Sequence, residues 1–525
     1  MNICVMGPLA GLLLCATACG QHDPQRNAVR HIATGKWDQA NRELANADPQ
    51  DSETHFVRML GSLANEETGA AVEHARAALA AGLPFGRLMA GPREMLRPLY
   101  ATDAFREWAR QNAAPRLLHG PMLGAVTSRD ASFWVRTARA AGVQIRVFGD
   151  EREPPVAVSQ GVSTTPASDF TAVARVRGLH PATDYHYGVW IDGKRVASDN
   201  THFQTFPAEG EAATFGVAFG GGAGFVPQWE SMWDTIGKTD PVALLMLGDN
   251  VYIDDPTHAL TGRYCYYRRQ SRPEWRRLVA ATSVYAIYDD HDFGTNDCVP
   301  GPEVEKPAWK RSVWEHFRRN WVNPSYGGGD RQPGCWHDFY IADVHFILLD
   351  GRYYRSRQGV PSMLGPVQKA WLKETLKASR GTFKVIASPV PWTENIKPGS
   401  RDPWDGFTAE REEIFSFLED HRIEGVFLIA ADRHRTDLRV TSRPAGYDLY
   451  EFESSRLTNR HTHAVVKTPG LIWGYNKTCS FGLMQFDTTR ADPQVNLTAV
   501  AIDGRRVHTH TLSRSQLTAP AARQK

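Results

Sequence analysis

Past residue 18, no apolar run approaches the roughly 20 residues that a membrane-spanning helix needs, so the body of the chain is expected to fold in water. Charge of one sign is also missing. Sixty basic residues against 58 acidic give a formal charge of +2, which provides no electrostatic footprint for nucleic acid and no nucleic-acid-binding module. The seven cysteines include no paired CxxC pattern, which excludes the common structural zinc motifs. Low-complexity tracts are absent, and 42% hydrophobic with 22% charged residues is an ordinary globular balance. A glycine loop, Gly220-Gly221-Gly222-Ala223-Gly224, follows Phe219 but has no Lys-Ser/Thr ending, so a Walker-type nucleotide site is excluded. At 525 residues the chain exceeds one hydrophobic core and is expected to be multidomain.

The first residues carry an address. Residues 9–18 are almost wholly apolar and small, too short to span a bilayer, and end at a cysteine. Ala16-Thr17-Ala18-Cys19 resembles a bacterial lipobox, which implies a signal peptide over 1–18 and a lipid anchor on Cys19. Simple cleavage to a soluble periplasmic protein is the alternative, and both put the chain outside the cytoplasm. Cys265, Cys298, Cys335 and Cys479 remain for as many as two disulfides, with three connectivities open.

Three patterns then succeed one another. Residues 19–115 are rich in Ala, Leu, Glu and Arg at helical spacing, as in Ala71, Ala75 and Ala78. Gly35, Trp37, Ala40, Leu44 and Pro49 resemble one tetratricopeptide-type unit, and the segment reads either as a peptide-binding surface or as a spacer from the membrane. Residues 116–207 turn to short β-branched and aromatic runs, at 132–137, 143–147 and 185–190. Leu179-His180-Pro181-Ala182-Thr183-Asp184-Tyr185 is similar to the tyrosine corner of fibronectin III-like sandwiches. From 212 to 515, apolar strands at 214–219, 242–247, 284–288, 344–349, 383–387 and 426–431 alternate with helical stretches, an α/β pattern. Residues 516–525 read as a disordered tail.

Polar groups cluster where those strands end, which is where α/β sheets place their ligand crevice. Gly248-Asp249-Asn250-Val251-Tyr252, Asp289-Asp290-His291-Asp292 with Asn296, Asp350-Gly351-Arg352, and Asp432-Arg433-His434 all follow apolar strands. Asp249, Asp290 and Asp432 offer anionic oxygens, Asn296 a carbonyl and His434 an imidazole, a set suited to iron, manganese, zinc or calcium. Tyr252 adds a phenol, whose ionisation at neutral pH needs a strong positive charge and so points to a trivalent ion. Asp292 stands next to His291 and is typed to orient its ring. Arg352, Arg355 and Arg433 are typed for phosphate. His461 and His463, an HxH pair in a polar loop, read as solvent-facing.

Those four ordered motifs resemble the alkaline phosphatase D (PhoD) family of calcineurin-like metallophosphoesterases, over residues 117 to about 515. The resemblance implies an α/β sandwich of mixed sheets flanked by helices, preceded by a fibronectin III-like β-sandwich, with the small all-α segment outside it. It implies hydrolysis of a phosphate ester substrate by a metal-activated hydroxide on two or more ions, iron with calcium, or manganese or zinc. Asp249 would bridge the metals, Tyr252 would bind iron, Asp432 and His434 would complete the shell, and Asp290 or Asn296 would take the position of a neutral asparagine. His291 would face the leaving group, and Arg352 the phosphate. One departure stands out: the family's first catalytic strand usually delivers a cysteine, whereas Gly220-Gly221-Gly222 offers no thiolate. A non-catalytic lipoprotein that keeps the fold as a binding module is therefore the second reading.

Overall fold

The computed structural model describes residues 23–113, 115–198 and 200–519. The expected signal peptide and Cys19 lie outside the described residues. No described helix is long and apolar enough to cross a membrane.

Helices Pro24–Ala33, Trp37–Ala45, Ser52–Ala64 and Thr68–Ala80 open the chain as two hairpins. Ala71, Ala75 and Ala78 are fully buried on one stripe of Thr68–Ala80, facing Phe56, Leu60 and Leu63 of the helix before it. The segment is not a spacer held away from the rest. Arg268, on helix Ala259–Gln270, donates from Nη1 to Asp23 Oδ1 at 2.9 Å and to Gln25 Oε1 at 3.0 Å, so the first turn of the helical segment is clamped to the α/β body.

Next come two facing sheets. The three-stranded one contains Leu117–Gly124, Asp130–Thr137 and Thr171–Arg177; the six-stranded one is built on Ala141–Phe148 and Asp184–Ile191. Inward residues alternate with outward ones along Thr171–Arg177, the period-2 signature of a strand with one buried face. Phe133, Tyr187 and Phe203 fill the space between, with ring centroids 4.6 and 5.5 Å from Phe133. The Tyr185 hydroxyl accepts the His180 N–H at 3.0 Å.

Two larger mixed sheets form the remainder. One runs, in spatial order, Ser283–Ile287, Ala243–Leu247, Thr214–Gly220, Ser480–Asp487, Gln494–Ala501 and Arg506–Ser513. The other runs His337–Ile341, Val344–Leu348, Phe383–Ala387, Val426–Ala430, Leu449–Ser454, Thr436–Thr441 and Leu471–Tyr475. Parallel neighbours are buried on both faces, which is why Ala243–Leu247 and Val426–Ala430 read as unbroken apolar runs. Phe486 of the first sheet packs against Phe346, Phe383 and Phe427 of the second, at centroid distances of 5.9, 5.9 and 6.4 Å. At the carboxyl ends of the parallel strands a single bridge, Gly221 to Ser455, joins the two sheets.

Two expectations are corrected here. The tail is ordered through residue 519: the 3₁₀ turn Ser515–Leu517 buries Leu517, whose carbonyl accepts the Gly425 N–H at 2.8 Å. One apolar side chain with a seat outweighs the polar composition around it. Cys265, Cys298, Cys335 and Cys479 are all free rather than paired, three of them buried.

Candidate metal centre

The centre begins with a turn that only glycine allows. Gly248 has φ of +103°, and a Cβ there would lie 2.5 Å from the Asp289 Cβ. The close approach brings two strand ends together. Asp249, Tyr252, Asp432 and His434 then all adopt left-handed backbone, with φ between +48° and +69°, a concentration of strain typical of functional sites. One ligand atom each from Asp249, Asp290 and His291 lies within 4.8 Å of the others, and all three residues are buried. The Asp249 Oδ2 accepts from the Tyr252 hydroxyl at 3.0 Å, while its Oδ1 has no hydrogen-bond partner.

Electrostatically the group is incomplete as a protein-only site. Burial holds the Asp249 pKa well above the ordinary range, with His291 opposing and Asp290 and Asp289 adding to it. Burial likewise raises Asp289, although Arg352 opposes. At Asp290 burial is outweighed by Arg352 and His291, leaving a pKa of about 2. Carboxylates crowded in a dry pocket with an unpartnered oxygen aimed inward fit a bound cation.

His291 is held by a residue that motif spacing does not reveal. Its Nδ1 pairs with the Asp254 carboxylate, and its own carbonyl accepts the N–H of Ile253 at 2.8 Å and of Asp254 at 3.1 Å. Asp292, expected to orient the ring, does something else. Its carboxylate accepts the Asn250 N–H at 2.8 Å, the Val251 N–H at 3.0 Å and the Asn250 side-chain amide at 3.0 Å. It therefore pins the loop that carries Asp249 and Tyr252. Burial pushes its pKa up to about 6 against those donors. Asp254 is held in turn by Arg26 of the helical segment, whose Nη1 also donates to the Tyr252 carbonyl at 3.0 Å.

The arginines divide. Arg352 is wholly buried and pairs with Asp289, with Asp402 at 2.7 Å and with Asp290 at 3.6 Å. Arg355 is equally buried and pairs with Asp402. Neither is placed as a phosphate contact: Asp402, some fifty residues away in sequence, takes both guanidinium groups. Arg433 pairs with Asp432 Oδ2 at 3.4 Å and lies close enough to the buried Glu453 to favour its charged form, and its Nε has no hydrogen-bond partner.

Asp432 is half-buried and stays outside the Asp249 grouping. Asn296 is exposed on the turn after helix Asp290–Phe293, where the neighbouring Asp297 N–H, not Asn296, reaches Asp290 Oδ2 at 2.6 Å. Lys397 is an unforeseen cation here: burial lowers its pKa, but Asp432, Asp402 and Asp297 together raise it overall, and its Nζ lies 2.8 Å from Asp297 Oδ1. His434 is fully in place, its Nε2 3.0 Å from the Tyr252 hydroxyl and 3.9 Å from Asp249 Oδ2.

The glycine turn is closed to any side chain. A Cβ would come within 2.8 Å of Leu457 at Gly220, 2.6 Å of Ala431 at Gly221 and 2.9 Å of the Ser455 hydroxyl at Gly222.

Comparison with known proteins decides the kinship of this centre. Residues 216–469 match the model of the PhoD-like phosphatase family. This chain carries a PhoD-like phosphatase domain. Residues 114–209 match a Domain of unknown function (DUF7800). Alkaline phosphatase D of Bacillus subtilis (strain 168) is 22% identical over 391 residues, which cover 62% of this chain and 66% of that protein, just under two thirds of its length. The fold is similar to that of PhoD, with a TM-score of 0.62 at 17% identity over 75% of this chain and 88% of that one. It is also similar to purple acid phosphatase PPD1 from yellow lupin (Lupinus luteus) seeds, with a TM-score of 0.57 at 12% identity over 76% and 75%. Asp249, Tyr252, Asp290, His291 and His434 all fall inside the PhoD-like phosphatase domain, whereas Arg26, which braces Asp254, precedes both matched regions.

Proposed function

We propose that this chain hydrolyses phosphate esters at the Asp249 centre. The observation that carries the reading is the buried group of Asp249, Asp290 and His291, with Tyr252 and His434 against it, at the meeting of two sheets whose strands end together. Asp249, Asp290, Tyr252 and His434 would hold the metal ions; Asp432, expected in the same shell, stands at the edge. When bound, the ions supply water activation near neutral pH and charge neutralisation at phosphorus. The Tyr252 phenol favours iron at one position, and the carboxylate oxygens favour calcium or another hard divalent ion beside it.

The protein's own groups do the rest. Asp254 on Nδ1 fixes the His291 tautomer and leaves Nε2 to deliver a proton to the departing alkoxide. Asp292 keeps the Asp249 loop from shifting. Arg433 takes the role of phosphate-binding arginine that Arg352 and Arg355 are too committed to fill. Metal-loaded protein should release aryl alcohol from an aryl phosphate monoester or a bis-aryl diester. Asp249→Ala should cut that rate on the order of 1,000-fold, the several kcal/mol that metal ions supply. No hydrolysis of either ester with iron, calcium or manganese would leave the non-catalytic reading standing.

The fibronectin III-like assignment of residues 116–207 belongs to the same proposal, supported by the Tyr185 to His180 bond. So does export with a lipid on Cys19, supported by the apolar run before it. Labelling with a fatty-acid probe in a bacterial host, lost in Cys19→Ser, tests the anchor.

A further inference from the structure

The loop after strand Leu449–Ser454 turns two histidines, neither of them buried, toward His434. His461 Nε2 lies 3.2 Å from His463 Nε2, and the two rings meet edge to face at 4.4 Å between centroids. Both rings are turned to His434, at 5.4 and 5.9 Å. One nitrogen from each of the three lies within 4.8 Å of the others. This grouping is distinct from the carboxylate group of Asp249, Asp290 and His291, and it contains no anionic oxygen.

The arrangement is held by the backbone around it. Thr462, between the two histidines, donates its hydroxyl to the His434 carbonyl at 3.0 Å. The His461 N–H donates to Asn459 Oδ1 at 2.9 Å, and the Asn476 amide donates to the His463 carbonyl at 3.0 Å. Three tethers thus fix the loop through its backbone and hydroxyl groups, and hold the His461 and His463 Nε2 atoms against each other. Two imidazole nitrogens at 3.2 Å are a costly arrangement if both lone pairs face each other and a useful one if both face a cation. Below them, Gly222 supplies the clearance, because a Cβ there would stand 3.2 Å from His434 Cδ2.

We propose that His434, His461 and His463 form a three-imidazole site for a divalent transition ion of the zinc class, alongside the carboxylate centre. Three histidines with a fourth position open is a zinc arrangement that accepts water or a ligand atom. Imidazole donors select zinc, copper, nickel or iron over calcium and magnesium. The open side is available: His461 and Tyr252 line a cavity of about 340 Å³ together with Phe225 and Asn459. His434 is shared by the two centres, its Nε2 standing 3.0 Å from the Tyr252 hydroxyl. The site holds an ion whether or not the carboxylate centre hydrolyses phosphate esters.

Zinc binding to the full chain, stripped with a chelator and checked for an unchanged thermal unfolding curve, tests this. Calorimetric titration with Zn2+, and the visible absorption of the Co2+-loaded protein, are read in the starting protein, in His461→Ala/His463→Ala and in Asp249→Ala. The double variant, altered only on a surface loop, should lose one equivalent or bind it more than about 100-fold more weakly, beyond what loss of an outer hydrogen-bond partner costs. Asp249→Ala should keep that equivalent and the nitrogen-type cobalt spectrum while losing hydrolysis. An unchanged stoichiometry and affinity in the double variant overturns the site, as does a starting protein whose only zinc equivalent disappears with Asp249→Ala.

Discussion

Charges near the centre fall into three kinds, and removing the first two has opposite signatures. Arg352 is shared by Asp289 and Asp402 with no access to solvent. Arg352→Leu would leave Asp289 buried without its cation and take one of the cations from Asp402, so it should destabilise the fold by about 3–5 kcal/mol, read by denaturant unfolding. Arg433→Gln removes a guanidinium whose one ion pair within 4 Å is with Asp432, and Glu453 keeps Arg435 beside it. It should instead lower kcat/KM for an aryl phosphate by about 10–100-fold, the worth of a charge-assisted hydrogen bond, with a much smaller change in unfolding. The reverse pattern would return the phosphate role to Arg352. Asp254 belongs to a third kind, acting through His291. Asp254→Asn should reduce kcat by about 10–100-fold with metal content and KM nearly unchanged, because its carboxylate holds the ring rather than the ions. A kcat equal to that of the unaltered protein would mean that His291 needs no such support.

Helices and strands differ in how openly they announce themselves. The six catalytic strands expected from apolar runs all occur, ending within a residue or two of the expected places, because a strand buried on both faces must be apolar throughout. Asp249, Tyr252 and His434 were legible for the same reason: a polar residue directly after such a run has a fixed direction. Asp254 was not, since four residues of irregular loop separate it from Asp249 and only the folded loop turns it to His291. Arg352 was misjudged because an arginine at a strand end looks alike whether its partner is phosphate or the distant Asp402. The HxH pair is at the surface as expected, but its approach to His434 was not legible because it depends on contacts that only the folded loop makes. Helix Ser52–Ala64 carries a testable cost at its start. Asp51 caps it through the Glu53 N–H at 3.3 Å, yet burial, with Glu53 adding, raises the Asp51 pKa to about 6. A raised acid favours the folded state below its unfolded pKa of about 3.9. That contribution is lost as pH rises through about 6. Asp51→Asn keeps the cap acceptor without the charge. It should be more stable than the unaltered protein at pH 7.5, by up to about 3 kcal/mol in denaturant unfolding, and show little difference at pH 4. Equal stability at pH 7.5 would mean that solvent relieves the charge.

On the scale of the molecule, the helical segment is the part that makes this chain more than a PhoD-like phosphatase domain. It reaches the centre twice. Arg26 braces Asp254 and the Tyr252 carbonyl from outside the matched regions, and Asp23, Gln25, Asn46, Asp48 and Asp51 form one wall of the cavity whose other wall includes Tyr252 and His461. The clamp is built to persist: burial raises the Asp23 pKa, but Arg268 and Arg26 outweigh it and hold it at about 2, so the ion pair stays charged throughout the neutral and mildly acidic range. On the proposed function, a wall fixed in this way would select substrates by the size of what leaves phosphorus. Asn46 is exposed at the rim, at the end of helix Trp37–Ala45, and makes no contact with the Asp249 group. Asn46→Trp should therefore narrow the mouth without touching the ions. The expected result is a loss of kcat/KM that is at least about 5-fold greater for a bis-aryl diester than for a small alkyl monoester, equivalent to about 1 kcal/mol of discrimination. Equal losses for both esters would mean that substrate enters by another route and that the helical segment contributes support to His291 but no selectivity.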